Sequence, residues 1–155
     1  MKSRVYQKIM IATDGSQNSM KAVASGIEIA KLSGAKVYAV YVVDTSYKKY
    51  LADFEDKEKV HEHLVNQGKD AISHVEKAGE MKKVQVEPVI IEGNPAVEIV
   101  NYAEENNMDM IVMGTMGVTA SRKLSIGSVA ENVVRTSKVQ VLVVQRYTPT
   151  SQNNE

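Results

Sequence analysis

The sequence predicts an α/β protein built on a parallel sheet, because short apolar runs alternate with helical patterns along most of its length. The runs are apolar on both faces, as is typical of strands that helices cover on both sides. The predicted strands are Lys8–Thr13, Val37–Val43, Val84–Ile91, Asp109–Met113 and Val139–Val144. The resulting order is βαβαβαβαβ, and right-handed crossovers leave few topologies for it. A chain of 155 residues is suited to one domain, which we expect to span 1–155 with an ordered core at about 5–146.

The first helix is predicted between Ser16 and Gly34. Ser16 is a good N-cap, and Gly34 is a typical stop signal. Apolar side chains recur with helical spacing between these two residues, which predicts one buried face. The positions on this face are Met20, Val23, Ala24, Ile27 and Lys31, of which four are apolar.

Two further helices follow the second and third strands. Residues 45–56 have no clear period and predict a loop or irregular cover, and a long helix is expected from about Lys57 to Ala78. The next helix begins at Asn94 and Pro95, an N-cap followed by proline at the first helical position. The predicted buried faces are Val60, Leu64, Gly68, Ala71, Ile72 and Val75 for the long helix, and Ala96, Ile99, Val100 and Ala103 for the shorter one.

The fourth strand ends at Gly114, and residues 115–126 predict a loop. A last helix is expected over Ser128–Ser137, with Ala130, Val133 and Val134 buried. In an open parallel sheet, ligands bind beyond the carboxyl ends of the strands, where the strand order reverses. The first and fourth strands are the natural neighbours of that point.

Composition excludes several classes of function. Formal net charge is +0, which gives no support for binding to nucleic acid or to an anionic membrane. The absence of cysteine excludes disulfides and thiolate chemistry and suits a reducing cytoplasm. We expect no secretory signal and no membrane span, and a polar tail at 147–155.

Three glycines and a serine form the strongest motif. Gly114, Gly117, Gly127 and Ser128 give the spacing G-x2-G-x9-G-S, between a predicted strand and a predicted helix. Glycine lets backbone amides approach a phosphate, and a helix N-terminus adds unpaired amides and partial positive charge. At average glycine usage this pattern arises by chance in about 1% of such chains. The alternative is that these glycines only shape a turn and the start of a helix.

Asp14 leaves the first strand at its carboxyl end. An acid in this position accepts hydrogen bonds from ribose hydroxyls or helps to hold a metal ion. The alternative is a turn or capping role before Gly15. Its expected place beside the loop after the fourth strand favours the binding role.

These motifs resemble the universal stress protein family. The resemblance is carried by Ala12-Thr13-Asp14-Gly15-Ser16, by Val42-Val43-Asp44, and by Met113-Gly114-x2-Gly117-x9-Gly127-Ser128-Val129-Ala130-Glu131. It extends from Lys8 to Val144, and the glycine signature is similar to that of the ATP-binding branch. The resemblance implies an open sheet of order 3-2-1-4-5 with helices on both faces.

The resemblance also implies a nucleotide site and a dimer. The backbone of Val42 would meet adenine, Met113 would line the base pocket, and Asp14 and Gly114 would meet the ribose. The phosphates would be held by Gly117, Gly127, Ser128 and Val129. Ala12 stands where many relatives have proline, and with Thr13 it completes the binding set. The ligand would be ATP, or ADP or AMP, and Mg²⁺ would be reached by Asp14 and Ser128. Family members commonly dimerise through the last strand, here Val141–Val144.

Several residues and functions stay open at this point. Arg122 lies in the loop after the fourth strand, where it either neutralises phosphate charge or is simply solvated. His61, His63 and His74 predict surface or packing roles. The first hypothesis is a dimeric nucleotide-binding sensor in the stress response. The alternatives are a slow ATPase or autophosphorylating phosphotransferase, for which the sequence offers no obvious base besides Asp14, and a chaperone-like dimer with an empty cleft.

Overall fold

A computed structural model of the chain describes residues 5–51, 54–115 and 126–145. Within them the strands are β1 (Lys8–Ala12), β2 (Lys36–Asp44), β3 (Val86–Gly93), β4 (Met110–Gly114) and β5 (Gln140–Val144). The helices are α1 (Gln17–Ser33), α2 (Phe54–Met81), α3 (Pro95–Glu105) and α4 (Ser128–Thr136). All neighbouring strands are parallel, in the order β3-β2-β1-β4-β5. The predicted fold class and strand order are confirmed.

The sheet carries helices on both faces because its strands are apolar on both faces. Ile9 and Ile11 of β1 point to the face covered by α1 and α2, where they join one buried cluster. Met10 and Ala12 alternate to the face covered by α3 and α4 and join the second cluster. Side chains alternate across a strand, so one apolar run supplies two cores.

The helix ends agree with the capping signals in the sequence. The Ser16 hydroxyl accepts a hydrogen bond from the Ser19 amide, and the Asn94 side chain accepts one from the Val97 amide. Gly34 adopts the left-handed conformation with φ of 76°, and its amide donates to the Ala30 carbonyl. These contacts satisfy backbone groups that a helix end leaves unpaired.

The structure corrects the predicted bounds of β3. The strand was predicted at Val84–Ile91 and is observed at Val86–Gly93. Val84 instead belongs to the turn that follows α2, because its amide donates a hydrogen bond to the carbonyl of Gly79 in the last turns of that helix at 2.8 Å. The chain changes direction at Lys83, which adopts the left-handed conformation with φ of 57°. The strand then continues to Gly93, which pairs with Asp44 of the long strand β2.

Smaller predictions also need correction. Ala24 was predicted on the buried face of α1 and is exposed, because this helix packs through Ala22, Val23, Ile27 and Ala30. Residues 45–56 were predicted as irregular, but Thr45–Lys49 forms a short 3₁₀ helix whose first turn is capped by the Asp44 side chain. The long helix is longer than predicted, running from Phe54 to Met81. Val134 was predicted to be buried and is 48% exposed, because α4 packs through Ala130 and Val133.

No helix in the described residues combines the length and the apolar content needed to cross a bilayer.

We expect Gly79→Ala to destabilise the fold by about 2 kcal/mol. A Cβ at this position would lie 2.9 Å from the Val84 carbonyl oxygen and 2.4 Å from a methyl group of Val86. The backbone oxygen cannot move without disturbing the turn into β3, so overpacking outweighs the gain in helix propensity of about 1 kcal/mol. Urea unfolding measures the effect, with Glu80→Ala on the exposed neighbour as a control that stays within about 0.5 kcal/mol. A Gly79→Ala protein as stable as the parent chain would contradict the prediction.

Candidate functional site

The predicted site residues that the structure describes lie toward the carboxyl edge of the sheet, around β1 and β4. These two strands are direct neighbours, with Ile11 paired to Val112. The chain winds outward from β1 through β2 to β3, and on the other side from β4 to β5. The strand order therefore reverses between β1 and β4, which is where ligands bind in open sheets of this kind.

The turn after β1 is held by side-chain hydroxyls. Thr13 is buried, and its Oγ1 accepts a hydrogen bond from the Gly15 amide at 3.2 Å. Gly15 has φ of 80°, a left-handed conformation that favours glycine. The Asp14 side chain is exposed, and its Oδ1 accepts from the Ser16 amide at 2.9 Å. Asp14 therefore does cap the turn, and it also presents a carboxylate at the edge of the sheet.

Apolar side chains form a floor beside this turn. They come from the carboxyl ends of β1, β2, β4 and β5 and from the first turn of α4, and they belong to one packed cluster. The members nearest to the edge are Ala12, Val40, Val42, Met113, Val129 and Val143. Four residues of the predicted binding set, Ala12, Val42, Met113 and Val129, thus belong to one packed cluster.

Gly114 has a packing reason to be glycine. A Cβ at this position would lie 3.0 Å from the Asn18 carbonyl oxygen and 3.5 Å from the Ser19 Cα. The end of β4 therefore approaches the backbone of the first turn of α1 too closely for a side chain. This close approach puts Gly114 next to the Asp14 turn, as the predicted site requires.

The other end of the glycine motif forms the start of α4. Gly127 occupies the N-cap position and has no side chain to cap the helix, and Ser128 is the exposed first residue. The amides of Ser128 and Val129 lie in the first turn, where a helix offers them no internal acceptor. The Gly127 amide, in contrast, donates to the Thr115 carbonyl oxygen. The sequence analysis named Gly127 among the residues that would hold the phosphates, and this stays a prediction.

Gly117 and Arg122 lie outside the described residues. Among the residues that are described, no group of three or more His, Cys, Asp or Glu side chains is placed to hold a metal ion. That Asp14 and Ser128 would reach Mg²⁺ stays a prediction.

All three histidines lie on α2. His63 and His74 are exposed, as predicted. His61 contacts the Glu92 carboxylate on β3 through Nε2. That contact joins α2 to the sheet and agrees with a packing role.

Tyr41 is a neighbour of the site that sequence reasoning missed. Its side chain is 6% exposed, and its ring lies so close to α2 that a Cβ on Gly68 would come within 2.5 Å of it. Burial raises the pKa of the Tyr41 hydroxyl, and the negative charges of Asp14 and Asp44 raise it further. The signal in the sequence was a tyrosine on the second strand, one residue before Val42.

Comparison with known proteins gives a consistent result. The family model described as the universal stress protein family matches residues 5–145. The universal stress protein MJ0531 of Methanocaldococcus jannaschii is 42% identical over 92% of this chain and 84% of its own length. The solved structure of MJ0577 from the same organism has a TM-score of 0.81 at 30% identity, over 93% of this chain and 99% of that one. A universal stress protein solved in complex with cAMP has a TM-score of 0.64 at 27% identity, over 90% and 97% of the two chains.

Proposed function

This chain belongs to the universal stress protein family, and on that premise we propose that it binds an adenine nucleotide at the carboxyl edge between β1 and β4. One observation carries the proposal: the exposed Asp14 carboxylate, an apolar floor and the uncapped first turn of α4 lie along the same edge. Each suits a different part of a nucleotide, namely ribose, base and phosphate. The relative solved with cAMP supports the same ligand class.

We propose a role for each residue of the site. The backbone of Val42 bonds adenine while Ala12 and Met113 line its face, with Thr13 contributing through the turn. Asp14 and the Gly114 backbone meet the ribose. The Ser128 and Val129 amides and the Ser128 hydroxyl hold the phosphates, helped by Gly117, Gly127 and Arg122 from the loop. ATP with Mg²⁺ is the proposed form, since Asp14 and Ser128 both offer oxygen.

The biological role we propose is that of a cytoplasmic, dimeric sensor in the stress response, with the nucleotide as its signal. A ligand that binds only the native state stabilises it, so the thermal stability of the protein should rise with the concentration of bound nucleotide. Isothermal titration with ATP, ADP, AMP and cAMP, with and without Mg²⁺, tests the proposal. Mass spectrometry of nucleotide released from the purified protein identifies the form bound in the cell. If millimolar ATP produced no heat of binding and no thermal shift, that result would contradict the proposed nucleotide binding.

A second candidate is slow phosphoryl transfer to the protein itself. It is favoured by the exposed Ser128 hydroxyl, which stands at the helix start proposed for the phosphates. Incubation with γ-labelled ATP distinguishes the two functions. Label that stays on the parent chain and is absent from Ser128→Ala indicates autophosphorylation. Release of labelled phosphate indicates an ATPase. If neither is observed, nucleotide binding without phosphoryl transfer is the remaining function.

We also propose that two copies of the chain pair through β5. The outer side of β5 is an edge of the sheet with the apolar sequence Val141-Leu142-Val143-Val144. The opposite edge, β3, contains Pro88 and the exposed acids Glu87 and Glu92, which discourage pairing. An edge without such protection is suited to a partner strand.

Val143→Pro should shift the proposed dimer to monomer. The Val144 carbonyl accepts a hydrogen bond from Thr115, so Val144 faces β4 and the Val143 amide faces outward. Proline there removes an outward donor and leaves the pairing with β4 in place. Sedimentation velocity at micromolar concentrations measures the change, and Ile90→Pro on β3 serves as the control on the other edge. A parent chain that is monomeric, or a Val143→Pro protein that stays dimeric, would contradict the proposed interface.

A further inference from the structure

Ser19 is a buried polar residue that the proposed ligand does not touch. It is the third residue of α1, it is 4% exposed, and its Oγ donates to the Ser16 carbonyl at 2.8 Å. The same Oγ lies 3.0 Å from Thr13 Oγ1. A hydroxyl has one hydrogen, and a carbonyl oxygen can only accept. Because the Ser19 hydrogen goes to Ser16, the Thr13 hydroxyl must donate to Ser19.

The contacts therefore form one directed chain of hydrogen bonds. The Gly15 amide donates to Thr13 Oγ1, Thr13 donates to Ser19 Oγ, and Ser19 donates to the Ser16 carbonyl. Hydrogen bonds in such chains polarise and strengthen one another. The chain encloses the turn from Thr13 to Ser16, and Asp14 is the residue in that turn whose side chain is exposed.

Ser19 also adjoins the second half of the site. A Cβ on Gly114 would lie 3.5 Å from the Ser19 Cα and 3.0 Å from the carbonyl oxygen of the preceding residue, Asn18. The first turn of α1 is therefore where the Asp14 turn and the end of β4 meet. A change at this point alters the placement of the carboxylate relative to Gly114.

We propose that Ser19 is a positioning residue of the nucleotide site, which acts by holding the Asp14 carboxylate in its binding geometry. The inference rests on the proposed nucleotide binding. Ser19→Ala breaks the chain of hydrogen bonds and leaves the Thr13 hydroxyl without its acceptor. Affinity for ATP should fall about tenfold, the size expected for one lost buried hydrogen bond.

The same helix offers a matched control. Ser33 is 8% exposed, and its Oγ donates to the Ile29 carbonyl at 2.8 Å, at the opposite end of α1. Ser33→Ala removes a hydroxyl of the same kind and similar burial, so it should affect stability in the same way. Its affinity for ATP should equal that of the parent chain. Thermal unfolding and isothermal titration on both variants separate a loss of stability from a loss of positioning.

A double-mutant cycle with Asp14→Ala tests the mechanism. If Ser19 acts through the carboxylate, Ser19→Ala should change the affinity less than about twofold once the carboxylate is gone. Amide hydrogen exchange without ligand adds a readout that needs no binding, and the Gly15 amide should exchange faster in Ser19→Ala and unchanged in Ser33→Ala. Should Ser19→Ala fail to fold, Thr13→Val interrupts the same chain from its other end and is measured in its place.

The outcomes are distinct. A tenfold loss for Ser19→Ala that disappears without the Asp14 carboxylate supports positioning. Equal ATP affinities for Ser19→Ala and Ser33→Ala, or a loss that persists undiminished in the Asp14→Ala background, overturn it while nucleotide binding stands. A parent chain that takes up no ATP overturns the proposed function, and the positioning role with it.

Discussion

Ser128→Pro is expected to weaken the binding of ATP roughly 30-fold and to leave the binding of adenosine unchanged. The substitution removes one amide donor and one hydroxyl from the start of α4. Each such hydrogen bond contributes about 1 kcal/mol net, so the loss of both costs about 2 kcal/mol, or roughly 30-fold in affinity. Proline is favoured at the first position of a helix, so the helix itself is retained. Gly127 already has φ of −66° and ψ of 157°, an extended conformation that suits the residue before proline.

Ser128→Ala separates the two groups, because it removes the hydroxyl and keeps the amide. We expect it to weaken ATP binding only about fivefold. The chain already contains the equivalent of the proline variant at α3, which begins with Pro95 after Asn94. Circular dichroism and thermal unfolding should therefore find Ser128→Pro as well folded as the parent chain. Equal losses for ATP and adenosine would place the phosphates elsewhere.

The sheet was predictable because each strand carries its own signal. An apolar run that alternates between two faces needs helices on both sides, and caps such as Ser16, Gly34 and Asn94 mark where the helices begin and end. The bounds of β3 were less predictable. Val84 is as apolar as the strand that follows it, and only its hydrogen bond to the Gly79 carbonyl assigns it to the end of α2.

The site was predictable only in part, because glycine has several uses. The spacing of Gly114 and Gly127 indicated a phosphate loop, but the structure also shows a packing reason for Gly114 and a backbone hydrogen bond for Gly127. Gly114 allows the close approach of β4 to α1, and the Gly127 amide closes the loop on Thr115. Ser19 gave little signal, since a serine in the first turn of a helix is usually read as ordinary capping chemistry. Its role depends on Thr13, which is six residues away and meets it only in the folded turn.

Asp14 is where the turn role and the binding role coincide, and substitution can separate them. Asp14→Asn keeps a side-chain oxygen that accepts from the Ser16 amide, so the turn should persist, but it removes the charge. We expect ATP affinity to fall about tenfold in Asp14→Asn and about 50-fold in Asp14→Ala, which loses the turn contact as well. Isothermal titration measures both. A 2′,3′-dideoxy analogue should bind the parent chain about as weakly as ATP binds Asp14→Asn.

Asp44 provides the matched control. It also follows a strand, it is exposed, and its Oδ1 accepts from the Ser46 amide at 2.9 Å, as Asp14 does from Ser16. Asp44→Asn should change ATP affinity less than about twofold, because the residue lies beside β3 and away from β4. If both asparagine variants bind ATP as the parent chain does, Asp14 serves only the turn.

Tyr41 reports whether these variants keep the native geometry. Negative charge on Asp14 and on Asp44 raises the pKa of Tyr41, after the larger effect of burial. Removing either charge should therefore lower the pKa of Tyr41, while burial keeps it above the ordinary value for tyrosine. NMR titration of the Tyr41 ring detects the change in the absence of nucleotide. A lowered Tyr41 pKa in both variants, with ATP affinity lost only in Asp14→Asn, would show that the two carboxylates act alike on Tyr41 and that only Asp14 contributes to ATP binding.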